Sequence, residues 1–224
     1  MSGASSAIAS LLCVRSAQAL ENLELQAWKP LKRWEAWRKI PSVVVMADAN
    51  DARLPALYDA VRFWNDTFLS LGSPFHFGQV THIAEAVPHA ELRRRSDSGK
   101  PFDWSAGWYD LPPRVAQVQG DVIVALSDGP DSAATSSVSP RKVLVVIRAF
   151  RTYQTSPPTT LNGAQDTIAH ELGHAIGLDH NNDPTSLMCS PCRFREREGM
   201  SPLTDDERAL LLKMYPPSWQ EQPW

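Results

Sequence analysis

The chain of 224 residues has no long hydrophobic run and no excess of basic charge. No stretch of 18 or more apolar residues occurs, so the sequence predicts no transmembrane helix. The 22 Lys and Arg residues are balanced by 25 Asp and Glu residues, giving a formal net charge of -3. A nucleic-acid backbone is bound through clustered basic charge, which this balance does not supply. The composition therefore indicates a globular protein without a nucleic-acid partner.

Cysteine is scarce, and the position of the three cysteines bears on the cellular compartment. Cys13 lies in residues 1–19, where a short apolar stretch precedes Ala17-Gln18-Ala19. This pattern resembles a signal peptide, although the usual basic start is missing, and the alternative is an N-terminal helix or tail. Removal of the segment would leave Cys189 and Cys192, which we expect to form a disulfide in an oxidising compartment and to stay reduced in the cytoplasm.

The order of predicted elements favours one mixed domain over residues 41–217, preceded by an extension over 20–40 and followed by a tail over 218–224. Apolar spacings of three and four predict an amphipathic helix from Leu54 to a stop at Gly72. A second helix is expected over Leu161 to Gly177, with Asn162 as its cap, and a capping box at Thr204 begins a third that runs to Tyr215. Strands are predicted at Val43–Met46, Phe75–Ile83, Asp121–Leu126 and Val143–Ile147, with Ser132–Ser139 as a short polar edge strand.

Residues 170–180 read HELGHAIGLDH, and this segment carries the chemistry. On a helix, His170 and His174 lie one turn apart, so both imidazoles can bind the same metal ion. Gly177 allows the backbone to leave the helix, because glycine accepts a positive φ without steric cost. The chain can then turn back and bring His180 to the same ion. Three histidines serving ordinary structural roles are the weaker interpretation.

Three protein ligands leave a fourth position for water, which is typical of a catalytic zinc site. Glu171 is next to the first ligand, where it can accept the proton of the water as general base. The metal lowers the pKa of that water and polarises a carbonyl group. The sequence thus predicts one catalytic Zn²⁺ and a metal-assisted hydrolysis of amide bonds.

The motif, followed eight residues later by Met188, resembles the metzincin clan of zinc endopeptidases. The resemblance implies that Met188 lies beneath the metal without binding it. It also implies an α+β fold with a mixed twisted sheet, two long helices in the N-terminal subdomain and a small C-terminal subdomain with one helix. Two metzincin families place a tyrosine ligand where this chain has Ser190, so a matrixin-like site fits better. Asn181 matches no family residue, and a cysteine-switch latency segment is absent.

The resemblance implies a secreted or periplasmic endopeptidase whose cleft, near residues 170–190, binds an extended peptide or protein substrate along an edge strand. Two alternatives remain open: a catalytically silent module that binds peptides, and a zinc amidase acting on a small substrate. Calcium is not indicated by the sequence, and no oligomeric state follows from it.

Three other features have both a structural and a functional interpretation. His76, His82 and His89 could form a second metal site, although ordinary surface or loop histidines fit better. The cluster Arg93 to Arg95 is expected to be a solvated loop, with a substrate or partner patch as the alternative. Trp104 and Trp108 are expected to pack locally, with a lid over substrate as the alternative.

Overall fold

The structure is a computed structural model, and it describes residues 36–92, 112–128, 134–139, 142–147, 160–190 and 200–223. All of these belong to one compact unit, residues 34–224, whereas residues 1–33 lie outside the described part. No helix among the described residues is long and apolar enough to cross a membrane.

A five-stranded sheet organises the described residues. Its strands are β1 (Val43–Met46), β2 (Val80–Ile83), β3 (Val122–Leu126), β4 (Ala134–Ser139) and β5 (Lys142–Ile147). The spatial order is β2-β1-β3-β5-β4, in which all neighbours are parallel except β4, which runs antiparallel to β5. The stretch predicted as a polar edge strand is therefore the edge strand β4.

Both faces of the central strands are buried, as their continuous apolar sequence predicts. On one face, alternate residues such as Val45, Val124 and Val145 join a core formed with the helices. On the opposite face, Val44, Ile123, Leu144 and their neighbours pack with Val87, Leu92 and Val115. Val87 and Leu92 come from the segment around a short 3-10 helix (His89–Glu91), and Val115 comes from helix α2 (Pro113–Gln117).

Helix α1 (Leu54–Ser70) buries its apolar stripe, including Leu57, Trp64 and Phe68, as predicted. It ends where predicted, since Gly72 has a φ of 70°. The segment after it differs from the prediction, because Phe75 and Phe77 lie outside a strand and β2 begins only at Val80. Both phenylalanines are nevertheless buried, so their alternation reflects burial in the core and not strand pairing.

Helix α3 (Thr160–Ala175) carries the metal-binding motif and packs against α1. It begins at Thr160, one residue before the predicted start at Leu161, so Asn162 lies inside the first turn and is not its cap. Helix α4 (Asp205–Met214) has the predicted capping box, in which Thr204 and Glu207 each bond the backbone of the other. The α+β class is confirmed, with two long helices beside a largely parallel sheet and one further helix near the C-terminus.

Residues on either side of the predicted domain limits contact one another. Ile40 donates its backbone N–H to Glu221 (2.8 Å), and Gln222 donates its N–H to the carbonyl of Arg38 (2.7 Å). The indole N–H of Trp219 lies 3.3 Å from the carbonyl oxygen of Trp37. The short segments 37–40 and 219–222 are thus attached to the same core as the sheet.

Candidate metal centre

The carboxyl end of α3 turns sharply and brings the three motif histidines together. Gly177 has a φ of 102°, a conformation that side-chain-bearing residues rarely adopt. The N–H of Leu178 bonds the carbonyl of Gly173, and the N–H of Gly177 bonds that of His174, both at 3.0 Å. These two bonds form the Schellman motif that ends many helices. The predicted role of Gly177 is therefore seen in the backbone.

The Nε2 atoms of His170, His174 and His180 lie 3.0–3.1 Å from one another. In a tetrahedral zinc site with zinc–nitrogen distances of about 2.0–2.1 Å, two ligand nitrogens lie about 3.3–3.4 Å apart. The observed triangle is close to that size. Among the described residues, this is the one group of His, Cys, Asp or Glu side chains that could hold a metal ion.

Hydrogen bonds orient two of the rings with their Nε2 lone pairs toward the centre. His170 donates its Nδ1–H to the carbonyl oxygen of Leu187, and His174 donates its Nδ1–H to that of Leu178, both at 2.7 Å. A neutral imidazole that donates from Nδ1 presents a lone pair at Nε2. Lone pairs so close repel one another unless a cation lies between them, and such Nδ1 contacts are usual for metal-binding histidines. The donor set fits a metal ion.

Burial favours the neutral, metal-binding form of all three imidazoles. Loss of solvent lowers the pKa of His170 and, with the nearby His170 ring, lowers that of His180 to about 4. The pKa of His174 lies well below its usual value because of burial and its two neighbours. A protonated imidazole cannot bind a metal ion, so these shifts keep the site ready for one.

Glu171 lies on α3 between the ligands and is only 6% exposed. Its carboxylate Oε2 accepts a hydrogen bond from the hydroxyl of Thr135 on β4, at 2.7 Å. Burial raises the pKa of Glu171 to about 7, although the Thr135 hydrogen bond acts in the opposite direction. A carboxyl group of this pKa can both accept and release a proton near neutral pH.

Met188 lies directly beneath the helix that carries the ligands and is fully buried. A Cβ atom added at Gly173 would lie only 2.5 Å from the Met188 sulfur and 3.0 Å from the ring of Trp64. Trp64 also donates its indole N–H to the carbonyl of Ala169, at 2.9 Å. Only glycine lets the methionine and the tryptophan approach α3 this closely. Met188 thus packs against the helix that carries the histidines, and its place beneath a metal ion stays a prediction.

The turn containing Met188 is tied to α4 through the buried carboxylate of Glu207. Ser186 donates its hydroxyl to Glu207 (2.7 Å) and accepts the N–H of Met188 (3.0 Å). Asn181 donates its side-chain amide to both Ser186 and Glu207. Leu187, whose carbonyl orients His170, bonds in turn to Pro202 through its N–H (2.8 Å). Asn181, which matched no family residue, thus has a structural role.

An aromatic clamp, defined here as Trp37 and Tyr215, binds the carboxyl end of α3. The indole of Trp37 donates to the carbonyl of Ala175 at 2.8 Å. The Tyr215 hydroxyl donates to the carbonyl of Ile176 at 2.9 Å and accepts the backbone N–H of Trp37 at 3.2 Å. The Tyr215 ring stacks on Phe75, with 3.9 Å between ring centres. Carbonyls at the end of a helix have no partner within it, so the clamp satisfies two of them.

The remaining predicted site residues have mixed outcomes. Cys189 is disulfide-bonded. The other two cysteines, Cys13 and Cys192, lie outside the described residues, so the pairing of Cys189 with Cys192 stays a prediction. His76, His82 and His89 do not form a metal group in the described structure, and the first two contact the backbone carbonyls of Pro74 and Ala47. Arg93 to Arg95, Trp104 and Trp108 lie outside the described residues.

Four residues that support the centre were not predicted from the sequence: Trp37, Trp64, Thr135 and Gly173. Only Gly173 gave a local signal, since a glycine inside a long helix usually has a packing reason. Thr135 stands in a run of small polar residues in which nothing distinguishes it from its neighbours. The two tryptophans contact α3 from positions more than 100 residues earlier, 138 for Trp37 and 105 for Trp64.

Comparison with known proteins finds a likeness that includes this centre. The matrixin (peptidase M10) family model matches residues 152–216. A stretch of 48 residues, 21% of the chain, is 42% identical to matrix metalloproteinase-16 of Homo sapiens, and the Rattus norvegicus and Mus musculus proteins match equally. Neutrophil collagenase of Homo sapiens is 25% identical over 139 residues, or 57% of the chain.

The matched segments are small parts of these relatives. They cover 8% of matrix metalloproteinase-16 and 30% of neutrophil collagenase. The matrixin match includes the three-histidine cluster, the turn at Met188 and helix α4. The resemblance predicted from the sequence is therefore confirmed, and residues 152–216 are matrixin-like and metzincin-like.

Proposed function

We propose that this protein is a zinc-dependent endopeptidase that hydrolyses peptide bonds. The observation that carries the proposal is the convergence of three histidine Nε2 atoms, 3.0–3.1 Å apart, with the buried carboxyl group of Glu171 on the same helix as two of them. Three nitrogen ligands with a nearby carboxylate are the arrangement that metal-assisted amide hydrolysis requires.

His170, His174 and His180 would hold the ion. When bound, zinc would polarise the carbonyl group of the scissile bond and lower the pKa of water to about 7. The carbonyls of Leu187 and Leu178 fix the orientation of the first two rings. Backbone partners of this kind prevent the imidazoles from rotating away and keep the ligand set assembled.

Glu171 acts as the general base. Its carboxylate accepts the proton of the attacking water and delivers it to the amine nitrogen that leaves when the peptide bond breaks. Because burial raises the pKa of Glu171 to about 7, the carboxyl group is suited to both transfers near neutral pH.

An extended peptide is the proposed substrate form. Strand β4 pairs only with β5 among the described strands, and it lies over α3 close to Glu171. A peptide can add to such an edge through main-chain hydrogen bonds. The relatives are named as a matrix metalloproteinase and a collagenase, which supports a protein substrate.

Cleavage of an unfolded protein tests the proposal. Purified protein is incubated with unfolded casein, with a zinc chelator, and with the chelator followed by added zinc, and the products are sequenced. We expect internal cleavage that the chelator abolishes and zinc restores. Cleavage of a short acyl amide without cleavage of casein would identify an amidase. Zinc binding with neither activity would identify a silent peptide-binding module, and both results would overturn the proposal.

Proline substitution tests the pairing of substrate with β4. Adjacent residues of an edge strand direct their N–H groups to opposite sides, so of Ser136 and Ser137 one donates toward β5 and the other outward. Proline removes this donor. We expect one variant to raise KM for a long peptide with little loss of thermal stability, and the other to lower stability. Parental KM in both variants would exclude pairing at this edge.

We also propose that the protein is secreted or periplasmic. The disulfide at Cys189 supports this location, because disulfides persist in oxidising compartments. Intact mass spectrometry of protein from the native host, with alkylation before and after reduction, tests it. We expect Cys189 and Cys192 to be alkylated only after reduction. Alkylation of both without a reductant would place the protein in a reducing compartment.

A further inference from the structure

The hydroxyl of Thr135 is placed to control the position of the Glu171 side chain. Thr135 lies on edge strand β4, opposite Val145 of β5, and its side chain is turned into the protein, since the residue is only 6% exposed. Its Oγ1 lies 2.7 Å from Oε2 of Glu171 and 2.9 Å from the Glu171 carbonyl oxygen. One hydroxyl therefore contacts both the side chain and the backbone of the proposed general base.

No other hydrogen bond to the Glu171 carboxylate occurs within the described ranges. A glutamate side chain has three rotatable bonds, and ordering it costs about 1.5–2 kcal/mol of conformational entropy. A general base must lie within hydrogen-bond distance of the proton it accepts, and small displacements reduce the rate strongly. The contact from Thr135 is thus the described interaction that can hold this carboxylate in one orientation.

We propose that Thr135 is a positioning residue for Glu171. By donating to Oε2, its hydroxyl fixes the carboxylate and leaves Oε1 as the oxygen that accepts the proton of water. The inference deepens the proposed function and depends on it. It also joins two parts of the site, because the strand expected to bind the substrate is the one that holds the base.

Three variants and a control separate positioning from a general effect on the fold. Thr135→Val keeps the shape of the side chain and removes the hydroxyl, whereas Thr135→Ser keeps the hydroxyl. Thr81→Val is the matched control, because Thr81 is exposed on β2, the opposite edge of the sheet. Glu171→Gln identifies the signal of Glu171 in the spectroscopic experiment. Zinc content and thermal unfolding are measured for each protein.

The kinetic measurement uses an extended peptide substrate and the zinc-loaded proteins. We expect Thr135→Val to lower kcat by about tenfold to a hundredfold, with KM and zinc content close to the parental values, since the ligands and the strand remain. Thr135→Ser should recover most of kcat, and Thr81→Val should match the parent. A parental kcat in Thr135→Val would overturn the positioning role.

The spectroscopic measurement does not depend on activity. Metal-free protein carrying ¹³C-labelled glutamate is compared at a pH where the carboxylates are ionised, and the Glu171 resonance is the one lost in Glu171→Gln. We expect Thr135→Val to shift this resonance and Thr135→Ser to leave it near its parental position. If the parent cleaves no peptide, the proposed function fails, and an unchanged resonance in Thr135→Val then overturns the contact as well.

Discussion

The metal-binding cluster and its supports are built in different ways. The three ligands span eleven residues of one helix and the turn that follows it, so local backbone geometry alone brings them together. Apart from Gly173, the supports come from distant parts of the chain: Trp37 lies 138 residues from Ala175, and Thr135 lies 36 residues from Glu171. The ligands are polar, and His174 and His180 are only partly buried, whereas Trp37 and Trp64 are part of the core.

This difference separates two kinds of change to the molecule. A ligand can be lost while the helix and core remain intact, because its side chain contributes little to packing. The tryptophan supports cannot be lost without a change in the core, since their apolar surface is buried against α3. Substitutions in the cluster should therefore affect metal binding or turnover, and substitutions of Trp37 or Trp64 should lower the free energy of unfolding.

The largest effect is expected for His180→Ala. Two helical histidines form an incomplete site, so metal affinity should fall by more than about 100-fold, which exceeds the effect usual for residues that only orient a ligand. Zinc affinity is measured by competition with a chelator, and the thermal unfolding of metal-free protein serves as the control. Parental zinc affinity would show that His180 is not a ligand.

Glu171→Ala should be the next largest change, and it should act on turnover alone. The ligands remain, so zinc stoichiometry should stay parental, while loss of the general base should lower kcat by about 10²–10⁴-fold. Atomic absorption and peptide kinetics on the same preparation measure both quantities. Turnover near the parental level would refute the proposed role of Glu171, and loss of zinc would place it in the ligand set.

The cluster could be predicted from the sequence because its geometry follows from spacing. His170 and His174 share one helix face, and Gly177 permits the turn. The capping box of Thr204 and Glu207, three residues apart, predicts the start of α4. The supports could not be predicted in this way. Trp37 belongs to the extension over residues 20–40, and whether it contacts α3 depends on how the whole chain folds.

Two local sequence patterns, one for a strand and one for a helix cap, gave wrong predictions. Phe75 and Phe77 alternate with polar residues as in a strand, but both lie in the core outside any strand, where Phe75 stacks on Tyr215 of the clamp. Alternation reports which side chains are buried and does not by itself report pairing. Asn162 has a side chain suited to capping a helix, but it lies inside the first turn because the helix begins at Thr160.

Trp37→Ala should lower the free energy of unfolding by about 3–5 kcal/mol, the usual cost of removing a buried tryptophan. The residue is 5% exposed and donates to the last turn of α3, so the loss includes a hydrogen bond as well as packing. Chemical denaturation measures the change. Leu69→Ala is the control, because that side chain is 76% exposed and should cost less than about 0.5 kcal/mol. Equal effects would mean that Trp37 does not support the helix.

The smallest expected effect gives the finest test, because two glycines of the same helix should respond with opposite signs. A methyl group at Gly173 would meet the Met188 sulfur at 2.5 Å and Trp64 at 3.0 Å, so Gly173→Ala should lower the free energy of unfolding by about 1–3 kcal/mol. A methyl group at Gly163 meets nothing within 4 Å, so Gly163→Ala should raise stability by about 0.5–1 kcal/mol through helix propensity. Denaturation of both variants in metal-free form separates packing from metal binding. Similar gains in both would show that Met188 and Trp64 do not pack closely against Gly173, and the turn beneath the ligands would then need a different support.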